Sequence, residues 1–169
     1  MVSNAILEIV EFMKISGETA PKSGGIDSLK YEIIEGEELE KLGNEMLEID
    51  HPFYVENGND VLDSDAVLLI GTKEHEGLGL DCAGCGYESC QEFNESEKLD
   101  ETFQGPNCIF KTLDLGIALG SAVKTAAIHN VDSRMMVTIG TVARDLGMLD
   151  ATVVIGIPIA ARHKSPYFE

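Results

Sequence analysis

The 169-residue chain reads as α+β: a small mixed sheet packed with helices, interrupted by a loop-rich, cysteine-bearing insert over 72–108. Three observations predict this. Apolar residues recur at helical spacing in four segments outside the insert, and continuous apolar runs bounded by turn residues mark strands. The two kinds of element follow in the order α-β-α-β-insert-α-α-β. Length and a hydrophobic content of 44% suit a single domain over 1–169 with a buried core, the insert lying within it.

The first helix is expected over 3–16, with Ile6, Ile9, Val10 and Met13 on one face and Ser3 or Asn4 as cap. Gly17, Pro21 and Gly24-Gly25 then enforce a loop. Leu29-Lys30-Tyr31-Glu32-Ile33-Ile34 reads as a strand. A second helix spans 37–49, with Leu39, Leu42, Met46 and Ile49 as its buried stripe and glutamates in its first turn, where they suit the helix dipole. Pro52 to Asn59 reads as a polar connection. Ala66-Val67-Leu68-Leu69-Ile70-Gly71 has the unbroken apolar character of a fully buried strand.

The insert carries every cysteine and one short helix near 88–95. The longest helix is expected over 109–130. Its Gly116, Ala118, Gly120, Ala122, Ala126 and Ala127 allow close approach of a neighbour, at the centre of the fold or at a dimer interface. Lys111, Asp114 and Lys124 interrupt it too often for a membrane span. A helix over 138–146 stops at Gly147, Thr152 to Ile157 is the last strand, and a tail runs from Ala161 to Glu169.

Thirty acidic residues oppose twelve basic ones, a net charge of -18. Residues 1–106 hold 25 acidic and 6 basic (net -19), and residues 107–169 hold 5 and 6 (net +1), including all three arginines. Such a surface repels phosphates, so nucleic acid and anionic membranes are excluded as partners. Met1-Val2-Ser3-Asn4-Ala5 lacks the features of a signal peptide, and a cytoplasmic location is expected.

Cys82, Cys85, Cys90 and Cys108 are spaced C-x2-C-x4-C-x17-C. In a reducing compartment such a set points to a metal site rather than to disulfides. Thiolates are soft donors taken by zinc and by iron–sulfur clusters alike. A structural zinc site draws on two short-spaced pairs. Here only the first pair exists. A loop wrapping three corners with a distant residue closing the fourth suits a [4Fe–4S] core. Gly84 and Gly86 permit the positive φ that turns backbone N–H groups toward sulfur. Zinc, a [2Fe–2S] centre and a Cys82–Cys85 redox pair stay open on spacing alone.

Cys82-Ala83-Gly84-Cys85-Gly86-Tyr87-Glu88-Ser89-Cys90 resembles the C-G-x-C-G-Y-x-x-C iron–sulfur module of electron-transfer subunits and corrinoid iron–sulfur proteins. It departs from that pattern in having Ala83 where glycine stands, and in Ile109 rather than proline after Cys108. Gly25-Ile26-Asp27-Ser28-Leu29, Gly105-Pro106-Asn107-Cys108, the segment 114–126 and Gly156-Ile157-Pro158 make the chain similar to prokaryotic ferredoxin-domain-containing proteins of unknown function. That resemblance implies a cluster held by Cys82, Cys85, Cys90 and Cys108, and no assigned reaction. Thr19-Ala20-Pro21-Lys22-Ser23 and the Gly156-Ile157-Pro158 to Pro166 ending are similar to flavin nitroreductases. This second likeness implies a nitroreductase-like fold, a homodimer and FMN at its interface. The arginine cluster of that family's first helix has no counterpart here, since no arginine precedes Arg134.

The leading expectation is a [4Fe–4S] protein passing single electrons to a redox partner protein, with no catalytic side chain assigned. One alternative is an FMN-dependent oxidoreductase with an iron–sulfur relay and a groove lined by Lys22, Arg134, Arg162 or Lys164. The other is a zinc-stabilised binding protein without catalysis. His129 near Asp132 and Arg134 is read as structural; Asp114 and Lys124, about 80° apart around the helix, are open to three readings, a buried polar pair, a substrate contact or simple partial exposure, of which a structural role is favoured. His51 and His75 carry no signal. The motifs for phosphate loops, Ser-His-Asp sets and HExxH zinc sites are absent.

Overall fold

The computed structural model describes residues 4–167, so a cap by Ser3 lies outside the described residues. Helix α1 (Asn4–Glu18) buries Ile6, Val10 and Met13, with Ile9 packed partly against the same core. A 3-10 turn (Ser23–Gly25) leads to β1 (Leu29–Ile34). Next come α2 (Gly36–Leu47), α3 (Pro52–Leu62) and β2 (Ala66–Thr72). The insert contains α4 (Cys90–Glu95) and a small hairpin of β3 (Leu99–Asp100) and β4 (Gln104–Gly105). The chain finishes with α5 (Ile109–Ile128), β5 (Asp132–Ser133), α6 (Val137–Asp145) and β6 (Val153–Ala160).

The expected α+β class is found, but the sheet is antiparallel where a mixed one was expected. Its order is β1-β2-β6-β5, and each adjacent pair runs antiparallel. The reason is α3, which sequence periodicity did not reveal. One helix between β1 and β2 would return the chain parallel, whereas two packed helices reverse it once more. Helix α3 exposes Phe53 and Val55 and buries only Gly58 and Val61 at full depth, so its apolar stripe is faint. It starts instead on local chemistry: Pro52 stands in its first turn, and the Phe53 N–H donates to His51 Nδ1 at 3.3 Å. Ile49, expected in the buried stripe of α2, falls beyond that helix and is exposed.

Strand β2 is buried along its whole length. Ala66, Leu68 and Ile70 enter a core with α1 and α5, while Val67 and Leu69 enter a second core with α2, α3 and α6. Strand β6 extends three residues past the expected end, through Pro158. Gly156 exchanges backbone hydrogen bonds with Met136, at 2.8 and 3.1 Å, so alternate residues of β6 face that edge. Pro158 therefore turns its nitrogen toward the gap between Ser133 and Met136, where the missing N–H interrupts no ladder bond.

In α5, Ala118, Ala122 and Ala126 make the close inner contact, whereas Gly116 and Gly120 face outward with open space around them. Of the readings open for Asp114 and Lys124, the buried pair does not form, because Lys124 lies on the exposed side. Asp114 is paired with Lys111 at 3.6 Å, both side chains being buried. Its Oδ1 accepts from the Ser23 N–H and Oγ–H at 2.8 Å each, fixing the loop before β1 to the start of α5. His129 ends α5 and stacks on Phe12, with ring centroids 5.9 Å apart, which is the structural role expected of it.

Helix α6 lies so close to β6 that a Cβ at Gly140 would stand 1.8 Å from the Val154 carbonyl oxygen. Gly140→Ala should lower stability by about 3 kcal/mol, read as a reduced urea midpoint, because backbone on the other side cannot yield.

Candidate metal centre

The insert leaves the sheet at the end of β2 and returns at the first residue of α5. Both ends are tied to one point. Buried Thr152, just before β6, donates from N to the Thr72 carbonyl at 2.8 Å and from Oγ1 to Asn107 Oδ1 at 2.9 Å. The Gln104 N–H donates to the Thr152 carbonyl at 2.8 Å, and Asn107 Nδ2 donates to the Gln104 carbonyl at 2.6 Å. Arg144 at the end of α6 ties the hairpin through Asp100 and the Glu101 carbonyl.

Between these ties the four expected cysteines line one recess, with about 300 Å³ of atom-free space including its mouth. All four are free thiols. Cys108 is buried as N-cap residue of α5, Cys85 and Cys90 are half-buried, and Cys82 is exposed. The positive end of a 20-residue helix thus lies at the deepest sulfur, which favours negative charge there. Cys90 opens α4, whose cap is Ser89, accepting from the Glu92 N–H at 3.2 Å.

The backbone around Cys82 is strained. Asp81 (φ 45°) and Ala83 (φ 55°) both sit in the left-handed region. Ala83 occupies the position where the iron–sulfur module resembled above has glycine, so that departure is where backbone strain is held. Of the two glycines expected at positive φ, Gly86 has it (φ 90°) and Gly84 does not. Gly84 serves packing instead, since a Cβ there would lie 2.6 Å from Ile109 Cγ2. Gly77 does the same on the other wall, where a Cβ would meet Cys90 Sγ at 3.0 Å. Asp81 also closes the loop, its Oδ1 accepting from the Cys90 N–H at 2.7 Å.

His75, which carried no signal in the sequence, supports the fourth cysteine. Its Nε2 accepts from the Cys108 N–H at 3.0 Å, and its Nδ1 lies 2.8 Å from the Lys73 carbonyl. Those partners require the neutral ring with the proton on Nδ1. Burial pushes its pKa below the usual histidine range, and nearby Lys98 and Lys111 add to the effect. The ring stacks on Phe93, which is fully buried, packs edge-on against Tyr87 and lies under Lys98 Nζ at 4.5 Å. Phe93 is the small core of the insert. A histidine two residues before glycine offers no spacing that would reveal this role.

The donor set fits a thiolate-held cluster: four free thiols line one recess, and strained and glycine-dependent loops bring backbone close to it. Among the described residues no group of three or more His, Cys, Asp or Glu side chains is gathered tightly enough to hold one metal ion. Three of the four cations expected to line a flavin groove are engaged separately. Lys22 Nζ donates to the carbonyls of Gly17, Glu18 and Ala20. Arg134 donates to the Tyr167 carbonyl, Arg162 pairs with Asp65 at 2.7 Å, and Lys164 is exposed in the tail.

His75→Ala leaves the Cys108 N–H without its acceptor and should cost about 1–3 kcal/mol in a denaturant titration. Ala83→Gly relieves the left-handed strain, partly offset by unfolded-chain entropy, and should raise stability by about 0.5–1 kcal/mol in the same assay.

Comparison with known proteins agrees with this architecture. Residues 104–169 match the family described as uncharacterized protein containing a ferredoxin domain (DUF2148), a span that includes Cys108. An uncharacterized protein of Archaeoglobus fulgidus is 46% identical over 160 residues, covering 93% of this chain and 87% of the relative. Among solved structures, a nitroreductase complex with FMN from Desulfovibrio desulfuricans superposes with a TM-score of 0.60 at 13% identity, covering 94% of this chain and 75% of that one. A nitroreductase family protein from Clostridium novyi NT gives a TM-score of 0.57 at 16% identity, covering 100% and 78%. The nitroreductase-like scaffold is thereby shown for the fold alone, and by sequence the chain belongs to the family of uncharacterized proteins that contain a ferredoxin domain.

Proposed function

We propose that Cys82, Cys85, Cys90 and Cys108 hold one [4Fe–4S] cluster and that the protein transfers single electrons in the cytoplasm to a redox partner protein. The observation that carries this reading is that all four cysteines are free and line one recess. A cluster bound there supplies one-electron redox chemistry. The chain's own residues set its surroundings. Cys108 is buried, which shields its sulfur from water, while exposed Cys82 gives the short path to a partner. The insert holds nine acidic residues against Lys73 and Lys98, a charge balance that opposes an added electron and favours a low potential. Asp81 and His75 keep the third and fourth cysteines in place through the N–H groups of Cys90 and Cys108. Among the described residues no helix is long and apolar enough to cross a membrane.

Protein purified without oxygen should contain about four irons and matching acid-labile sulfide per chain, with a broad absorption band near ~400 nm. Cys108→Ser should lose most of that iron. One zinc per chain without sulfide would overturn the assignment in favour of the zinc-stabilised binding protein.

A second reading, FMN at a homodimer interface, is favoured by the outward face of α5. Leu113 and Ile117 are exposed there beside Gly116 and Gly120, which leave room for a close neighbour. The FMN named for the Desulfovibrio desulfuricans structure belongs to that protein. Fresh protein with a flavin spectrum and a dimer mass in light scattering would carry this reading, and a flavin-free monomer would end it.

A further inference from the structure

Large apolar side chains stand in water where the cysteine recess opens. Leu80, 56% exposed, and Ile109, 37% exposed, line the recess together with exposed Cys82. Leu113, 52% exposed, stands one turn beyond Ile109 on the same face of α5. Ile26, 56% exposed, meets the lining residue Leu78 over Gly24, where a Cβ would lie 3.6 and 3.7 Å from their Cδ1 atoms. Apolar residues exposed singly need no explanation, whereas several about one opening mark a contact surface.

Charge says what covers it. From Ile109 to Val123, α5 presents no exposed charge, because Lys111 and Asp114 are buried. The insert, in contrast, exposes all nine of its carboxylates. Glu76, Asp81 and Glu88 directly adjoin the lining residues Gly77, Cys82 and Ser89, and Glu92 Oε2 accepts from the Glu88 N–H at 3.2 Å. Glu76, Glu88 and Glu92 have no ion pair among the described residues. Both cations of the insert are engaged elsewhere. Lys73 pairs with Asp27 at 2.8 Å, and Lys98 Nζ lies 4.5 Å from the Phe93 ring centroid and donates to the Pro106 carbonyl at 3.4 Å.

We infer that the mouth of the recess is the docking face for a redox protein whose own electron-carrying group is exposed within a ring of lysines or arginines. The apolar centres of the two surfaces exclude water from each other, and the cationic ring meets Glu76, Glu88 and Glu92. A second copy of this chain seated on the mouth would set the same acids face to face, which opposes association. That the docked protein exchanges electrons rests on the function proposed above; the basic, apolar-centred complement is read from the side chains alone.

The test is calorimetric titration of the full chain, purified without oxygen and assayed for iron, with two probes. Cytochrome c, a haem protein with a lysine-ringed haem edge, should bind, and flavodoxin, an acidic redox protein, should not. Overall charge is separated from the docking face by two triple variants that remove the same three charges. Glu76→Gln/Glu88→Gln/Glu92→Gln should weaken cytochrome c binding about tenfold, and Glu40→Gln/Glu45→Gln/Glu48→Gln, on and just after α2, by less than about twofold. Glutamine at 92 keeps an acceptor for the Glu88 N–H, so the first variant retains its fold. Leu80→Ser should also weaken binding without lowering the melting temperature, since the side chain is mostly in water. Equal losses in the two triple variants, no loss in the first, or flavodoxin binding as tightly as cytochrome c would overturn the inference. Iron-free protein that binds in the expected pattern keeps the docking face and ends the cluster, whereas iron-loaded protein that does not bind cytochrome c does the reverse.

Discussion

Strand β2 is buried on both of its faces, and the rest of the molecule is arranged to meet that requirement. Seven residues in a row with no exposed side need an α1–α5 layer on one face and an α2–α3–α6 layer on the other. A strand so covered cannot lie at an edge, so it is flanked by β1 and β6. The antiparallel order follows from the pair of helices between β1 and β2, which together return the chain in the reversed sense. Buried apolar surface on this scale is the dominant favourable term in folding, and it falls here on a strand that the sequence marks unmistakably.

That arrangement decides where chemistry can sit. At one end of β2 the chain escapes the sheet and wanders through 72–108 before starting α5 beside its point of departure. Thr152 binds both the exit at Thr72 and the return at Asn107, so the insert is a closed loop on a rigid base. Three cysteines ride on the free part of the loop and the fourth on the base. Exposure grades accordingly, from Cys82 at the surface to Cys108 beneath it. The insert cannot bury much by itself and relies on Phe93, clamped by His75, Tyr87 and Lys98. Backbone strain at Asp81 and Ala83 is tolerated because these anchors over-determine the loop.

The elements with strong periodicity were readable before any coordinates. The apolar run at 66–71, the α1 stripe and the long small-residue helix all lie within a few residues of where hydrophobic spacing puts them. Helix α3 was not readable, since it buries little and begins on a histidine cap and a proline. The mixed sheet followed from that omission. Pro158 made β6 look shorter than it is, because the rule against proline inside strands presumes a neighbour on that side of the ladder. Ile49 was assigned to a stripe that the helix does not reach.

By itself the sequence determined which four thiols the chain has to offer, because C-x2-C-x4-C-x17-C is a chemical statement that needs no coordinates. It also determined the strand that the cores enclose, since an unbroken apolar run cannot be solvated. Tertiary structure alone decided the partners of polar groups. Asp114 met Lys111 rather than Lys124, and His75 met the Cys108 N–H from 33 residues away. Hydrophobic burial is written into local periodicity, whereas a hydrogen bond depends on the meeting of two particular atoms, and that meeting exists only once the chain has folded.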